Sequence, residues 1–187
     1  MENYSSFPTL TTNRLLLRQM TADDAADLYG IYSDPQLTKY LDWYGPSSPN
    51  HAQDLIASWN QQFENKQLLP WGITLHTNNH LIGTIMYMPI RGTFANKPLL
   101  PVNIGFELSS RYWNRGIMTE ALGVVTRFGI EQIGAHRIQA EVAPGNTASL
   151  KILEKLGFKQ EGLLKQYFMH EVTKTFFDVI VLSLLPL

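Results

Sequence analysis

The sequence predicts one α+β domain over residues 1–187, built on a mixed, mostly antiparallel sheet of seven strands with about four helices. Two observations lead to this prediction. Short apolar runs typical of strands alternate with amphipathic helical segments in the order β-α-α-β-β-β-α-β-α-β-β. The chain has 187 residues, a usual length for a single domain.

Composition narrows the class of protein. Hydrophobic residues make up 44% of the chain and charged residues 17%, which is typical of a globular domain rather than a disordered one. The net charge of −1 argues against nucleic acid as a partner. Because there is no cysteine, disulfides, thiolate zinc sites and a cysteine nucleophile are excluded. Met1–Pro8 lacks the features of a signal peptide and no membrane-length apolar run follows, so we expect a cytoplasmic protein without membrane contact.

The first third of the chain predicts one strand, two helices and, at Pro35–Leu41, one short helical turn. Arg14–Gln19 is the first strand. Thr21 has the chemistry of a helix N-cap, with Asp24 at the capping-box position three residues later. A second helix begins with Ser48 as N-cap and Pro49 at its first position.

The middle of the chain predicts three strands. Trp71–His76 and Leu81–Met88 are expected to form a hairpin whose turn is Asn78-Asn79. Residues 92–101 are expected to be a loop. Val102–Leu108 is the fourth strand of the chain.

The last third predicts two helices and three strands. Ile117–Gln132 is a helix between the strands Val102–Leu108 and Arg137–Val142, so these two strands are expected to be parallel. A helix at 146–156 follows, and the chain ends in a hairpin of strands at 158–168 and 175–184.

The start of the helix at Ile117 is a candidate anion site. A helix N-terminus offers unpaired backbone N–H groups and about half a positive charge. Gly116 lets the backbone approach a phosphate because it has no Cβ, and Arg111, Arg115 and Thr119 supply charge and a hydroxyl nearby. The alternative is an ordinary loop that leads into an amphipathic helix.

Several segments together resemble the GNAT superfamily of acetyl-CoA-dependent N-acetyltransferases. The closer similarity is to the RimJ/RimL-like branch, which contains ribosomal-protein N-terminal acetyltransferases. The resemblance implies a three-layer α/β/α fold whose fourth and fifth strands splay apart. The segments that carry it are IGFELSSRYWNRGIMTEA at 104–121, NTAS at 146–149, LEKLGF at 153–158, TNRLLLR at 12–18, the stretch 34–41 and the C-terminal hairpin.

The resemblance also implies where acetyl-CoA binds. Its pantetheine arm would pair with the strand residues Phe106, Glu107 and Leu108. The amide of Asn146 would hold the same arm, unless that side chain serves only as a helix N-cap. The pyrophosphate would lie on the backbone N–H groups of Asn114, Arg115, Gly116, Ile117, Met118 and Thr119. No metal is implied.

Three positions depart from the family pattern. Trp113 stands at the first position of the phosphate-loop motif, and Met118 replaces a Gly or Ala, so its side chain should point away from the phosphate. Leu153 stands where many members have a tyrosine acid. Ser149 is then the candidate to assist the leaving thiolate, and its alternative role is to cap or line the helix.

Glu107 is the candidate general base, because it lies on the strand beside the expected thioester. The alternative is a strand carboxylate that faces solvent or binds the acceptor. Backbone N–H groups of the same strand would polarise the thioester oxygen.

The expected reaction is direct acetyl transfer to a primary amine, and the preferred acceptor is the N-terminus of a ribosomal-type protein. A small-molecule amine acetyltransferase and a non-catalytic acyl-CoA sensor are the alternatives. Tyr40, Trp43 and Tyr44 either wall the acceptor groove or only pack. The oligomeric state is open, with a homodimer as one option.

Overall fold

Eight strands form one mixed sheet in a computed structural model of the chain, which describes residues 6–95 and 101–186. In chain order they are β1 Leu10–Thr11, β2 Leu15–Gln19, β3 Leu69–Leu75, β4 Asn78–Pro89, β5 Val102–Leu108, β6 Ile138–Val142, β7 Lys159–Met169 and β8 Phe176–Leu184. They lie in the order β1-β2-β3-β4-β5-β6-β8-β7. The predicted count of seven was one too low, because β1 has only two residues and shows no alternating pattern.

Five α-helices lie within these ranges, where about four were predicted. They are α1 Ala25–Tyr32, α2 Pro35–Thr38, α3 Pro49–Glu64, α4 Ile117–Phe128 and α5 Thr147–Lys155, and a π-helical turn, Gly129–Ile133, continues α4. The additional helix is α2, and it confirms the short helical turn predicted at Pro35–Leu41. No helix in the described ranges has the length and apolarity that crossing a membrane requires.

The predicted helix caps are present. The Ser48 hydroxyl accepts from the backbone N–H of His51 at 3.1 Å, and the side chain of Asn146 accepts from the N–H of Ser149 at 3.2 Å. The Asp24 carboxylate accepts from the N–H of Thr21 at 2.7 Å. These bonds satisfy donors that a helix start leaves unpaired, so they fix where α3, α5 and the turn before α1 begin.

One predicted turn was wrong by two residues. The β3–β4 turn is His76-Thr77, while Asn78 and Asn79 lie inside β4. The register between the two strands shifts twice near Thr74, and this irregularity displaces the turn from the Asn-Asn pair. The predicted loop at 92–101 and the segment Met1–Pro8 lie partly outside the described residues.

Helices cover both faces of the sheet and enclose two cores. One core lies between the sheet and α4 with α5, and includes Trp71, Tyr87, Leu122 and Leu153. The other lies between the sheet and α1, α2 and α3, and is built from residues such as Met20, Leu28, Tyr32, Ile56 and Trp59. The three-layer arrangement implied by the resemblance is confirmed.

Strands β5 and β6 part soon after they begin. They are parallel and pair at Val102–Ile138 and Asn103–Gln139, with no further pair between them in the described residues. Over the same length β5 pairs with β4 through Leu108, and β6 pairs with β8 through Val142. A wedge-shaped opening therefore separates the carboxyl ends of β5 and β6.

We expect Gly45→Ala to lower the free energy of unfolding by about 1–3 kcal/mol. Gly45 has a φ of +79°, and a Cβ there would lie 2.4 Å from the Cβ of Tyr32. Urea unfolding measures the change. Gly30→Ala in α1 is the control, because a Cβ at Gly30 meets nothing within 4 Å. Equal effects of the two substitutions would contradict the packing described for Gly45.

Candidate functional site

The opening between β5 and β6 brings the predicted strand residues to one place. Phe106 and Leu108 turn their side chains toward the core beneath α4, and Leu108 is buried there. Glu107 points to the opposite face of the sheet, because successive strand residues alternate. The β5 edge that faces the opening lacks pairing to β6 beyond Asn103, so its backbone groups can bind an extended chain.

Glu107 is held by two hydroxyl groups from distant parts of the chain. The Thr84 hydroxyl on β4 donates to Glu107 Oε2 at 2.7 Å. The Tyr32 hydroxyl at the end of α1 lies close enough to the Glu107 carboxylate to act as a second donor that lowers its pKa. The bond from Thr84 fixes the orientation of the carboxylate at the edge of the opening.

The surroundings tune the protonation of this cluster. Burial raises the pKa of Glu107 above its ordinary value, the hydrogen bonds from Thr84 and Tyr32 lower it, and the negative charge of Asp42 raises it again. Burial raises the pKa of Tyr32 well above its ordinary value, and the Glu107 charge adds to this effect. Tyr32 therefore remains a hydrogen-bond donor at neutral pH, while Glu107 has a higher proton affinity than an exposed glutamate.

The loop between β5 and α4 is fixed by its own hydrogen bonds. The indole N–H of Trp113 donates to the carbonyl of Leu108 at 2.7 Å. Asn114 and Gly116 both have left-handed backbones, with φ values of 59° and 69°. The Arg115 guanidinium lies 5.7 Å from the centre of the Tyr112 ring. These contacts shape the segment that was predicted to receive the pyrophosphate.

The start of α4 has the features of an anion site. Gly116 is its N-cap, and no side chain of the described residues caps the helix there. Ile117 and Met118 are buried in the core under α4, while Thr119 is half-buried. Because the Met118 side chain turns inward, the backbone N–H groups at the helix start remain accessible. The sequence-based expectation for the Met118 orientation agrees with this placement.

The start of α5 carries the other predicted residues. The side-chain oxygen of Asn146 caps the helix by accepting from Ser149 N–H, so the N-cap role is observed, and contact with the pantetheine arm stays a prediction. Ser149 is half-buried and lies one turn before Leu153, on the same face of the helix. Leu153 is fully buried in the core. This face of α5 therefore offers the Ser149 hydroxyl but no tyrosine hydroxyl.

An aromatic segment, residues 39–45, contacts the turn after β6 and the turn between β7 and β8. A Cβ on Gly145, in the turn after β6, would lie 3.1 Å from the Tyr40 ring. The rings of Tyr44 and His170 lie 4.5 Å apart between centres. The Asp42 carbonyl accepts from the backbone N–H of Glu171 at 2.7 Å. The segment thus contacts the turn that follows β6 at the opening, and the β7–β8 turn beyond it.

Sequence reasoning missed two members of the Glu107 cluster. Tyr32 lies on the buried face of α1 and Thr84 lies within the predicted strand Leu81–Met88, and neither was predicted to belong to the site. Their separations from Glu107 along the chain exceed 20 residues, so no local spacing indicates the contact. A buried hydroxyl opposite a strand carboxylate, Thr84 beside Glu107 in the β4–β5 register, was the available signal.

In the described residues, no group of three or more histidines or carboxylates is placed to hold a metal ion.

Comparisons with known proteins agree with this geometry. The family described as "Acetyltransferase (GNAT) domain" matches residues 14–159. The Bacillus subtilis (strain 168) protein named "Uncharacterized N-acetyltransferase YoaA" is 32% identical over 167 residues, covering 89% of this chain and 92% of its own length. The ribosomal protein uS5-alanine N-acetyltransferase of Escherichia coli (strain K12) is 26% identical over 167 residues, covering 86% of this chain and 82% of that protein. The structure of Mycobacterium smegmatis RimJ in complex with CoA-disulfide matches with a TM-score of 0.78 at 23% identity, covering 91% of this chain and 81% of that one.

We expect two substitutions to shift the pKa of Glu107 in opposite directions. Tyr32→Phe removes a hydrogen bond that lowers this pKa, so the pKa should rise, while Asp42→Asn removes a negative charge that raises it, so the pKa should fall. A ¹³C NMR titration of the glutamate carboxyls measures both shifts, with a Glu107→Gln spectrum for assignment. Shifts in the same direction would contradict the described cluster.

We expect Gly116→Asp to weaken acetyl-CoA binding at least about tenfold more than Gly116→Asn. Asn and Asp both tolerate a left-handed backbone and have the same size, so the two variants differ mainly in charge. Isothermal titration calorimetry at two salt concentrations measures the difference, which should shrink at high salt. Equal affinities at low salt would show that no phosphate lies at the start of α4.

Proposed function

The chain belongs to the GNAT acetyltransferase family, and we propose that it transfers the acetyl group of acetyl-CoA directly to the N-terminal α-amino group of a protein. The observation that supports this most is the half-buried Glu107 carboxylate, which accepts from Thr84 and lies beside Tyr32 at the edge of the β5–β6 opening. A carboxylate in that position can take a proton from an amine that enters the opening.

The chain has groups suited to bind the pyrophosphate and the pantetheine arm of acetyl-CoA. The N–H groups at residues 114–119 would hold the pyrophosphate. The backbone of β5 at Phe106 and Leu108, with the amide of Asn146, would hold the pantetheine arm. Among the described residues, the buried Asn103 Oδ1 has no hydrogen-bond partner, and Asn103 belongs to the last residue pair before β5 and β6 part. When bound, acetyl-CoA supplies an acetyl group that is already activated as a thioester.

Two side chains would then assist the reaction, Glu107 as the base and Ser149 as a hydrogen-bond donor. Glu107 accepts the proton that the amine releases, directly or through one water, as the nitrogen bonds to the acetyl carbon. Its raised pKa brings its proton affinity closer to that of the amine, which favours base catalysis near neutral pH. The Ser149 hydroxyl donates a hydrogen bond to the sulfur as the carbon–sulfur bond breaks. No covalent bond to the enzyme is needed.

A protein N-terminus suits a single modest base. Its α-amino group has a pKa of about 7.7–8.0, so forming the neutral amine at pH 7 costs about 1 kcal/mol, against about 4–5 kcal/mol for a lysine. A relative, the uS5-alanine N-acetyltransferase of Escherichia coli, is named for such an acceptor. An acceptor of this kind would place the reaction in the cytoplasm.

A small cationic amine is the second candidate acceptor. Asp42 lies close enough to Glu107 to raise its pKa, and Glu141 on β6 lies on the same face of the sheet as Glu107. Burial also raises the pKa of Glu141. Several carboxylates around an opening attract a cation. They favour a positively charged acceptor.

Glu107→Gln tests the base directly. We expect kcat to fall by about 10²-fold or more, since the amide cannot accept the proton, while the Kd for acetyl-CoA stays within twofold. Steady-state kinetics and calorimetry measure the two quantities. Glu131→Gln, at an exposed position beyond α4, is the matched control and should leave both unchanged. Unaltered turnover in Glu107→Gln would remove the base assignment.

A panel of acceptors tests the substrate class. Free-thiol release from acetyl-CoA is measured with short peptides of varied N-terminal residue and with small diamines. Release with peptides that is blocked by prior N-terminal capping supports the proposal. Release with diamines alone, lost in Asp42→Asn, supports the second candidate. Tight acetyl-CoA binding with no release from any acceptor would contradict both and favour a sensor.

A further inference from the structure

A polar network joins the start of β2 to the first turn of α4. The Thr12 hydroxyl donates to Glu120 Oε1 at 2.5 Å, and the backbone N–H of Arg14 donates to the same oxygen at 3.1 Å. The Arg14 guanidinium donates through Nε to Glu120 Oε2 at 2.6 Å. Both oxygens of one carboxylate are therefore bound by residues more than 100 positions earlier in the chain.

The same guanidinium reaches the loop before α4. Arg14 Nη1 donates to the carbonyl of Arg115 at 3.0 Å. A Cβ on Gly116 would lie 3.7 Å from Arg14 Nη2, so the guanidinium borders the left-handed residue itself. The backbone N–H of Glu120 in turn donates to the Gly116 carbonyl at 3.1 Å. Arg14 thus contacts both ends of the turn that presents the N–H groups.

Charge gives this network a second effect. Partial burial raises the pKa of Glu120, but hydrogen bonds from Thr12 and Arg14 bring it below its ordinary value, so the carboxylate is ionised at neutral pH. An ionised glutamate in the first turn of α4 would repel an anion bound at that helix start. The Arg14 guanidinium offsets this charge while it holds the Arg115 carbonyl.

We propose that Arg14 is a positioning residue for acetyl-CoA, which holds the 115–116 backbone in its phosphate-binding shape and neutralises Glu120 beside it. Its partner in this task is Glu120, whose carboxylate fixes the guanidinium through Nε. The proposal rests on the proposed function, since it takes the phosphate groups of acetyl-CoA to bind at the start of α4.

The test uses four variants of the full chain: Arg14→Met, Arg14→Lys, Glu120→Gln and the double variant Arg14→Met with Glu120→Gln. The Kd for CoA is measured by calorimetry, and amide hydrogen exchange of residues 114–119 is followed without ligand. Tm and kcat at saturating acetyl-CoA are recorded for each. Glu161→Gln is the matched control, because Glu161 pairs with Arg137 in another region of the fold.

We expect Arg14→Met to weaken CoA binding about tenfold and to speed exchange at 114–119, while kcat changes less than twofold. Arg14→Lys should weaken binding less, because a lysine keeps the positive charge but cannot contact both Glu120 and the Arg115 carbonyl. The double variant should bind CoA more tightly than Arg14→Met, because the uncompensated carboxylate is gone. Glu161→Gln should change Tm without changing the Kd.

A lower Tm in Arg14→Met with an unchanged Kd for CoA would overturn the proposal. The network would then have only a structural role. A tenfold loss in Arg14→Met with no gain in the double variant and unchanged exchange would also overturn it, and would make Arg14 a direct phosphate ligand. Failure of the proposed function gives a different result, since the Gly116→Asn and Gly116→Asp variants would then bind CoA with equal affinity.

Discussion

The separation of β5 from β6 is the constraint on which the site depends. Each of the two strands is anchored on its other side, β5 by β4 along its whole length and β6 by β8. Because they share two residue pairs at their beginnings, the opening widens toward their carboxyl ends without exposing a free sheet edge elsewhere in this region. The loop before α4 and the turn before α5 follow those ends directly, so the phosphate-binding and thiol-binding candidates lie on the two sides of one opening.

Hydrogen bonds explain how the half-buried Glu107 carboxylate is tolerated at this opening. Removing a charge from water is costly unless hydrogen bonds compensate, and Glu107 receives two, from Thr84 and Tyr32. Tyr32 is itself fixed by the close approach of Gly45 and by the Trp43 ring at 5.2 Å between centres. The aromatic segment therefore contacts the turn after β6 and supports Tyr32, which lies beside the Glu107 carboxylate.

Local sequence signals predicted most of the fold and part of the site. Ser48, Asn146 and Gly116 were assigned correct places at helix starts because capping depends on neighbouring residues alone. The β3–β4 turn was misplaced because a bulge near Thr74 depends on pairing between strands. The partners of Glu107 and the link from Arg14 to Glu120 depend on tertiary packing, which brings together groups far apart in sequence. Conversely, the role of Asn146 as a cap was one of two predicted alternatives, and its contact with acetyl-CoA remains a prediction.

A crystal structure of the complex with CoA tests the central claim most directly. We predict that the pyrophosphate lies on the N–H groups around Gly116, that the pantetheine arm follows the open edge of β5, and that the thiol ends in the opening beside Glu107. The account would be contradicted by a CoA molecule bound away from α4, or by a thiol on the opposite side of the sheet from the Glu107 carboxylate.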